Sequence, residues 1–367
     1  MSSTPTGHVG GPVTDAAVTD AAVTGAAVRD ATLRDQAITD EGLVDAFGRA
    51  HRDLRISLTD RCSLRCTYCM PAQGLPWIPP PEVLSNDELV RVIRIATELG
   101  IDEVRLTGGE PLLRSDVVQV VAALARLPRA PRISLTTNGL RLSTLAGPLA
   151  DAGLERVNIS LDTLRRDRFA RLTRRDRLSD VLAGVRAAGA AALSPVKVNA
   201  VLMRGVNDDE AVDLLRWAMS ERVELRFIEQ MPLDPEHQWD RSAMVSCDET
   251  LARLSEAFTL TEVPGRGSAP AEQWYVDGGP HTVGMVASVS RPFCGACDRI
   301  RLTADGQLRS CLFAREETDL RALLRSGAGD EQVAQAFARC LAGKRAGHGI
   351  DDPGFLQPGR PMSAIGG

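Results

Sequence analysis

Six of the eight cysteines in this 367-residue chain stand in two tight groups, Cys62, Cys66 and Cys69, then Cys294, Cys297 and Cys311. Thiols clustered in this way, with no secretory signal upstream, read as metal ligands in a reducing cytoplasm rather than as a disulfide framework. The first group sets three thiolates within eight residues, as Cys-x3-Cys-x2-Cys. A structural zinc site closes with four ligands, and neither a histidine nor a further cysteine stands nearby to complete one. An iron–sulfur cluster held by three cysteines keeps one iron open for a small molecule. Zinc completed by a distant ligand stays an alternative for this group. For the second group the alternatives are a zinc knuckle or a redox pair formed by Cys294 and Cys297. Cys247 and Cys340 belong to neither group and read as ordinary thiols.

Charge narrows the partner. The net charge of −5 argues against a surface built for nucleic acid, while leaving room for a local basic pocket. Only Lys197 and Lys344 among the 43 basic residues are lysine, leaving 41 arginines, so a position that keeps lysine draws attention. With 44% apolar and 25% charged residues the chain has the composition of a soluble enzyme. It contains no apolar run of the roughly 18 residues that a membrane span requires.

These residues need elements to hold them. Residues 1–45 open with Val-Thr-Asp-Ala-Ala at 13–17 and again at 18–22, and their low complexity reads as a disordered leader. A barrel region is expected over 46–245 and a cluster- and substrate-binding region over 246–367. Short β-branched runs predict strands near 54–59, 103–107, 132–137, 156–161, 196–201 and 223–228, alternating with amphipathic stretches as in repeated βα units. Ser85 and Glu88 form a capping box for a helix over 86–99 closed by Gly100, and Asn207 with Glu210 suggests a similar start for 208–219.

Read with a period of two, each strand has an apolar face and a polar one. The polar faces carry Arg55, Arg105, Thr136, Asn158 and Ser160, Lys197 and Asn199, and Glu224 with Arg226. Helical connections favour parallel strands, and a partial six-strand barrel would gather those faces around one lumen. Four cations would meet one carboxylate there, so the expected ligand is a polyanion such as a triphosphate.

The Cys62–Cys69 triplet, with Tyr68 before its last cysteine, resembles the radical S-adenosylmethionine superfamily, and Thr107-Gly-Gly-Glu-Pro111 resembles that superfamily's Gly-Gly-Glu-Pro motif. The run Ser290 to Phe313, the segment Leu54 to Arg61 and the final Ile365-Gly-Gly367 are similar to the GTP 3′,8-cyclases of molybdenum-cofactor biosynthesis. The resemblance spans roughly residues 52–367. It implies an α/β fold, a partial (βα)6 TIM-type barrel with a C-terminal extension that carries a second Fe–S cluster.

The resemblance further implies two [4Fe–4S] clusters, one on Cys62, Cys66 and Cys69 and one on Cys294, Cys297 and Cys311, together with S-adenosylmethionine. The first would cleave the sulfonium to a 5′-deoxyadenosyl radical that takes hydrogen from C3′ of GTP, and the carbon radical would close onto C8. The nucleotide cofactor is expected at Tyr68, Gly109, Ser160 and Met231, with Asn138 and Glu110 as further members. GTP is expected at Arg55, Arg105, Thr136, Lys197, Arg299, Ile300 and Arg301, with Arg226 beside them. Arg299 and Arg301 together with Gly366 and Gly367 are expected to serve catalysis. Glu103 departs from relatives that carry a basic residue at this position, which bears on one phosphate contact. No chemistry is assigned to His348.

The expected partners are an electron donor such as flavodoxin or ferredoxin and the downstream cyclic pyranopterin monophosphate synthase, with a homodimer as one assembly. Nucleic acid and membrane are not expected. The rival readings are a radical peptide-modifying enzyme with an auxiliary cluster and a zinc-dependent nucleic-acid module.

Overall fold

The structure, a computed structural model, describes residues 37–40 and 42–366. The repeats at 13–22 and Gly367 lie outside the described residues. Residues 37–40 and 42–45, expected within the leader, are among the described residues and join the fold. Ile38–Thr39 pairs with Gly42–Leu43, the Leu43 amide donates to the Leu99 carbonyl, and the Leu43 side chain is buried. Low complexity ends before residue 37, and a leucine that finds apolar neighbours stays with them.

The six expected strands are present as β1 (Asp53–Ser57), β2 (Glu103–Thr107), β3 (Arg132–Thr137), β4 (Arg156–Ser160), β5 (Val196–Val201) and β6 (Glu224–Ile228), all mutually parallel in chain order. The chain beyond them adds β7 (Leu260–Val263), β8 (Glu272–Val276), β9 (Thr282–Val286), β10 (Arg299–Leu302), β11 (Gln307–Arg309) and β12 (Thr318–Asp319). The twelve-stranded sheet runs β12-β11-β10-β1-β2-β3-β4-β5-β6-β9-β8-β7. Strands from the C-terminal third thus extend both edges: β10 lies parallel to β1, with Arg301 opposite Arg55, and β9 lies parallel to β6.

Helices pack on the apolar strand faces. Helix α1 (Asn86–Glu98) starts on the predicted capping box, with both the Ser85 and Glu88 bonds made, and buries Leu89, Val92, Ile93 and Ala96. Restoring two otherwise unpaired amides in this way contributes about 1 kcal/mol. Helix α2 (Val117–Ala125) and α3 (Leu142–Asp151) follow β2 and β3; α4 (Arg166–Thr173) and α5 (Leu178–Ala190) follow β4.

The second expected helix differs in its start. Asp208–Glu210 is a single 3-10 turn before α6 (Ala211–Glu221). Asn207 makes no cap there: its amide nitrogen donates to the Asp162 and Val201 carbonyls and its oxygen accepts from the Met203 amide. Buried strand-end carbonyls need partners more than a helix end that water can reach, so the asparagine serves them. Among the described residues no helix is long and apolar enough to cross a membrane.

Candidate functional site

At the carboxyl ends of the strands, the loop after β1 carries Cys62, Cys66 and Cys69, which line one cavity with Tyr68, Gly109, Thr136, Asn138, Ser160 and Met362. Glycine at 109 is forced by proximity, because a Cβ there would stand 2.4 Å from the Asp60 carbonyl oxygen and 2.5 Å from that of Arg61. The Gly109 amide donates to the Thr59 carbonyl and the Glu110 amide to that of Arg61, which seats the Gly-Gly loop on the backbone leading into the cysteines.

Glu110 does not face the cavity as expected. Its carboxylate is fully buried and accepts from the Leu112 amide, the Thr137 hydroxyl and the Asn138 amide at 2.7–2.9 Å. Burial raises this carboxyl, while those donors draw it back. Glu110 is therefore a bracket that joins the loops after β2 and β3. Asn138 sends its side-chain amide to the Ser63 hydroxyl at 3.1 Å and toward the Cys62 sulfur at 3.9 Å.

Sequence reading passed over Asp162, which accepts from the Tyr68 hydroxyl at 2.7 Å and from the Val201 amide at 2.9 Å. Burial pushes its carboxyl up to about 6. Its signal was present, as the first acidic residue after the polar face of β4.

The second cysteine group borders a neighbouring cavity lined by Cys294, Cys297, Cys311, Met231, His348 and the polar faces of the strands. Thr136 and Ser160 belong to both cavities, so the two sites are continuous. Five arginines reach this lining: Arg55, Arg105, Arg226, Arg299 and Arg301. Burial, then Arg105, lowers Arg55 well below the usual guanidinium range. Burial lowers Arg226 and Arg301 to about 10. Arg55 Nε, Arg226 Nε and Arg299 Nη2 are buried without a hydrogen-bond partner among the described residues.

Lys197 is not in that lining. Its ammonium pairs with Glu224 at 2.8 Å, one strand over, and burial followed by Arg226 lowers its basicity. Ile300 turns a fully buried side chain into the core, as alternation between Arg299 and Arg301 requires. Glu103, at the opposite end of the polar face, pairs with Arg105 and Arg156 and offsets part of the cationic field.

Arg299 stacks over Phe293 at 4.9 Å and places Nε 3.4 Å from the Cys297 sulfur. Lys344, the other lysine, is buried with Nζ on the carbonyls of Arg299 and Ser310 at 2.7 and 2.8 Å and 3.6 Å from the Cys297 sulfur. Burial raises the Cys297 thiol, but Arg299 and Lys344 outweigh it and hold the group at about 7. The rarity of lysine was the available signal, and sequence alone could not attach it to a cysteine 47 residues away.

Other buried groups shape these loops. Glu229 accepts from the amides of Cys247, Val289 and Ser290, which fixes the start of the Cys294 loop. Arg49 donates to the carbonyls of Cys294, Arg345 and Ala346 while its Nε holds Asp45 at 2.6 Å. His348 accepts at Nδ1 from the Ile350 amide, so its Nε2 donates to the Ser288 carbonyl.

The C-terminal segment enters both sites. Helix α7 (Met362–Ile365) brings Ser363 to the Cys69 thiol through its amide, and Gly366 offers its carbonyl to Arg301 Nη1. Gly366 has φ +87°, and a Cβ on it would stand 2.5 Å from Thr107 Oγ1. Before entering, the segment is held by Arg360, which grips Asp305 at 2.8 and 3.0 Å and Glu317 at 2.7 and 3.0 Å.

Three thiols in each group make a donor set of the soft, anionic kind that iron–sulfur clusters and other thiophilic metals take. Each cysteine triplet lines a cavity, and among the described residues no three Cys, His, Asp or Glu side chains gather around one ion-sized point. Burial raises the thiols of Cys62, Cys66 and Cys69, which therefore hold their protons until a bound cation displaces them.

Two family models match the chain, the Radical SAM superfamily over residues 56–218 and Molybdenum Cofactor Synthesis C over 223–350. A GTP 3′,8-cyclase of Streptomyces coelicolor is 62% identical over 89% of this chain and 96% of its own length. One from Mycobacterium marinum is 58% identical over 89% and 92%. Among solved structures, Streptococcus suis SuiB bound to S-adenosylmethionine shares the fold at a TM-score of 0.53 and 14% identity, covering 82% of this chain and 70% of that one.

Proposed function

This chain belongs to the GTP 3′,8-cyclases, radical S-adenosylmethionine enzymes of the first step of molybdenum-cofactor biosynthesis, and on that premise we propose how its residues divide the work. Cys62, Cys66 and Cys69 hold a [4Fe–4S] cluster in a partial (βα)6 barrel, and Cys294, Cys297 and Cys311 hold a second one in the C-terminal region. When bound, the first cluster and S-adenosylmethionine supply the 5′-deoxyadenosyl radical, and the second offers an open iron to the guanine.

Tyr68, Gly109, Ser160 and Met231 bind the nucleotide cofactor. Gly109 has its amide spent on Thr59, so its carbonyl is the group available to the methionine amine. Asn138 positions the Cys62 side of the same cavity.

One observation carries the substrate assignment: five guanidinium groups converge on a cavity bounded by three cysteines, and three of their buried N–H groups make no hydrogen bond among the described residues, although Asp53 stands 3.5 Å from Arg55 Nε. Each buried unsatisfied donor costs about 1–3 kcal/mol. A polyanion that accepts from them removes that cost, and a triphosphate supplies enough oxygens for all. Arg55, Arg105 and Arg226 take the phosphates. Arg299 and Arg301, beside the second cysteine group, serve the base and sugar, with Thr136 and the Ile300 backbone completing the wall. Lys197 acts from beyond the lining as a field charge against the phosphates, tempered by Glu224. The Gly366–Gly367 end orients the ribose toward the radical, where about 1 Å of misplacement costs on the order of 100-fold.

The reading includes reduction by flavodoxin or ferredoxin, delivery of the product to the cyclic pyranopterin monophosphate synthase, a homodimer as one assembly, and a cytoplasmic setting. The test is anaerobic incubation of the iron-loaded protein with GTP, S-adenosylmethionine and dithionite. The expected product is 3′,8-cyclised dihydroguanosine triphosphate, with 5′-deoxyadenosine formed alongside. Release of 5′-deoxyadenosine with GTP recovered unchanged would reject the substrate.

A further inference from the structure

Residues 165–177 hold seven arginines and two aspartates, a local excess of five positive charges in a chain whose net charge is −5. This stretch is helix α4 and the turn after it, and it is fastened to the first cysteine loop. The Arg65 amide donates to the Thr173 carbonyl and the Thr67 amide to that of Leu172, both at 2.9 Å. Arg174 Nη1 donates to the carbonyls of Arg65 and Met70, which flank Cys66 and Cys69. Arg61, Arg171, Arg174 and Arg175 are exposed.

Several arginines here are neutralised: Arg165 and Arg168 by Asp209, Arg168 also by Glu210, Arg166 by Asp176, Arg171 by Asp167, and Arg177 by Asp180. Arg61, Arg65, Arg174 and Arg175 have no carboxylate within salt-bridge distance among the described residues, and these four surround the cysteine loop. A solvated helix face ordinarily intersperses its charges so that they pair. Here the uncompensated ones collect on and beside the loop that carries Cys62, Cys66 and Cys69. The triphosphate does not explain them, because its five arginines line the interior cavity and Arg61, Arg65, Arg174 and Arg175 do not.

We propose that this arginine rim, from Arg61 and Arg65 to Arg174 and Arg175, is the docking surface for a small acidic protein that carries single electrons. The inference rests on the function proposed above, since only a group held by Cys62, Cys66 and Cys69 needs an electron delivered at that loop. In each transfer the carrier is oxidised by one electron and the group on the thiolates is reduced by one, and no bond or proton changes place. Electron transfer weakens steeply with distance, so the carrier has to sit over this loop. Opposite charge steers it there with a fast on-rate and without tight affinity. Reliance on charge at an exposed rim also makes the encounter sensitive to salt.

The test uses the full chain with purified acidic ferredoxin in one arm and purified flavodoxin in the other. Arg61→Glu together with Arg175→Glu is compared with Arg126→Glu, which changes an exposed arginine just past α2, at the opposite end of the sheet. Binding is measured by calorimetry at low and high salt, separately from turnover. The double variant is expected to weaken binding of at least one carrier roughly tenfold or more and to flatten its salt dependence, while Arg126→Glu leaves both unchanged. Carrier-driven 5′-deoxyadenosine formation falls by the same factor, and dithionite-driven formation stays at the unsubstituted rate.

Unchanged binding of both carriers, equal weakening by Arg126→Glu, or tighter occupation of the rim by GTP or an oligonucleotide overturns the docking surface. Loss of the dithionite-driven rate in the double variant also overturns it, because the arginines would then be supporting the loop. Absence of dithionite-driven cleavage in the unsubstituted protein instead refutes the function beneath it.

Discussion

Gly366→Ala isolates the work of a single backbone position at the end of the chain. The added Cβ would stand 2.5 Å from Thr107 Oγ1 and 3.3 Å from Ser57 Cβ. Thr107 ends β2 and Ser57 ends β1, so neither can retreat without loosening the sheet. Cβ contacts essentially never fall below 3.0 Å, so the segment must recede by at least 3.0 − 2.5 = 0.5 Å.

At φ +87° and ψ 112° a side chain adds about 1–3 kcal/mol of backbone strain. Either response pulls the Gly366 carbonyl from Arg301. With about 1.4 kcal/mol per factor of ten, the strain alone corresponds to roughly 5- to 150-fold, and the displacement acts in the same direction. The assay follows cyclised nucleotide and 5′-deoxyadenosine by chromatography with iron content measured in parallel. Cyclisation should fall by about 10- to 100-fold, while iron stays full and cleavage of S-adenosylmethionine continues uncoupled. Gly359→Ala, on the same segment with open space around it, should change nothing. A Gly366→Ala enzyme that cyclises at the unsubstituted rate would refute the reasoning, as would a Gly359→Ala enzyme equally impaired.

Replacing Cys62, Cys66 and Cys69 together with alanine should lower iron from about eight to about four per chain, and loss of all iron would show that the sites are not independent. Arg299→Lys should retain both clusters yet lose cyclisation by at least roughly tenfold, since an ammonium cannot keep both the Phe293 face and the Cys297 contact. Arg360→Ala should leave the cysteines loaded and speed proteolysis of the C-terminal segment several-fold, because Asp305 and Glu317 lose the group that joins them; an unchanged cleavage pattern would count against the anchor. His51 is buried beside Asp45, and burial, then Lys344, lowers it to about 4. The folded state therefore resists the proton that the unfolded chain takes near 6.5, and stability should fall as pH drops from about 6.5 toward 4, by on the order of 3 kcal/mol. Thermal melts of the metal-free protein should show that slope, and His51→Gln should lack it.

Much of the site could be read before any fold was known because its signals are local. Strand alternation has a period of two, so Arg55, Arg105, Thr136, Ser160 and Arg226 fall on one face wherever the strands lie. Cysteine spacing likewise states what a loop can ligate, and Ser85 with Glu88 states where a helix begins. What tertiary structure alone decided is which local faces meet. Strand β10 lies beside β1 and brings Arg301 level with Arg55 across 246 residues of chain, because a free sheet edge accepts whichever strand satisfies its hydrogen bonds. The same packing turned Glu110 from an expected contact into a bracket, set Lys197 behind the lining, and placed Lys344 and Asp162 at sites where sequence assigned them nothing. Burial makes each of these outcomes: a charged or polar group cut off from water takes the nearest partner in space, and distance along the chain does not enter that choice.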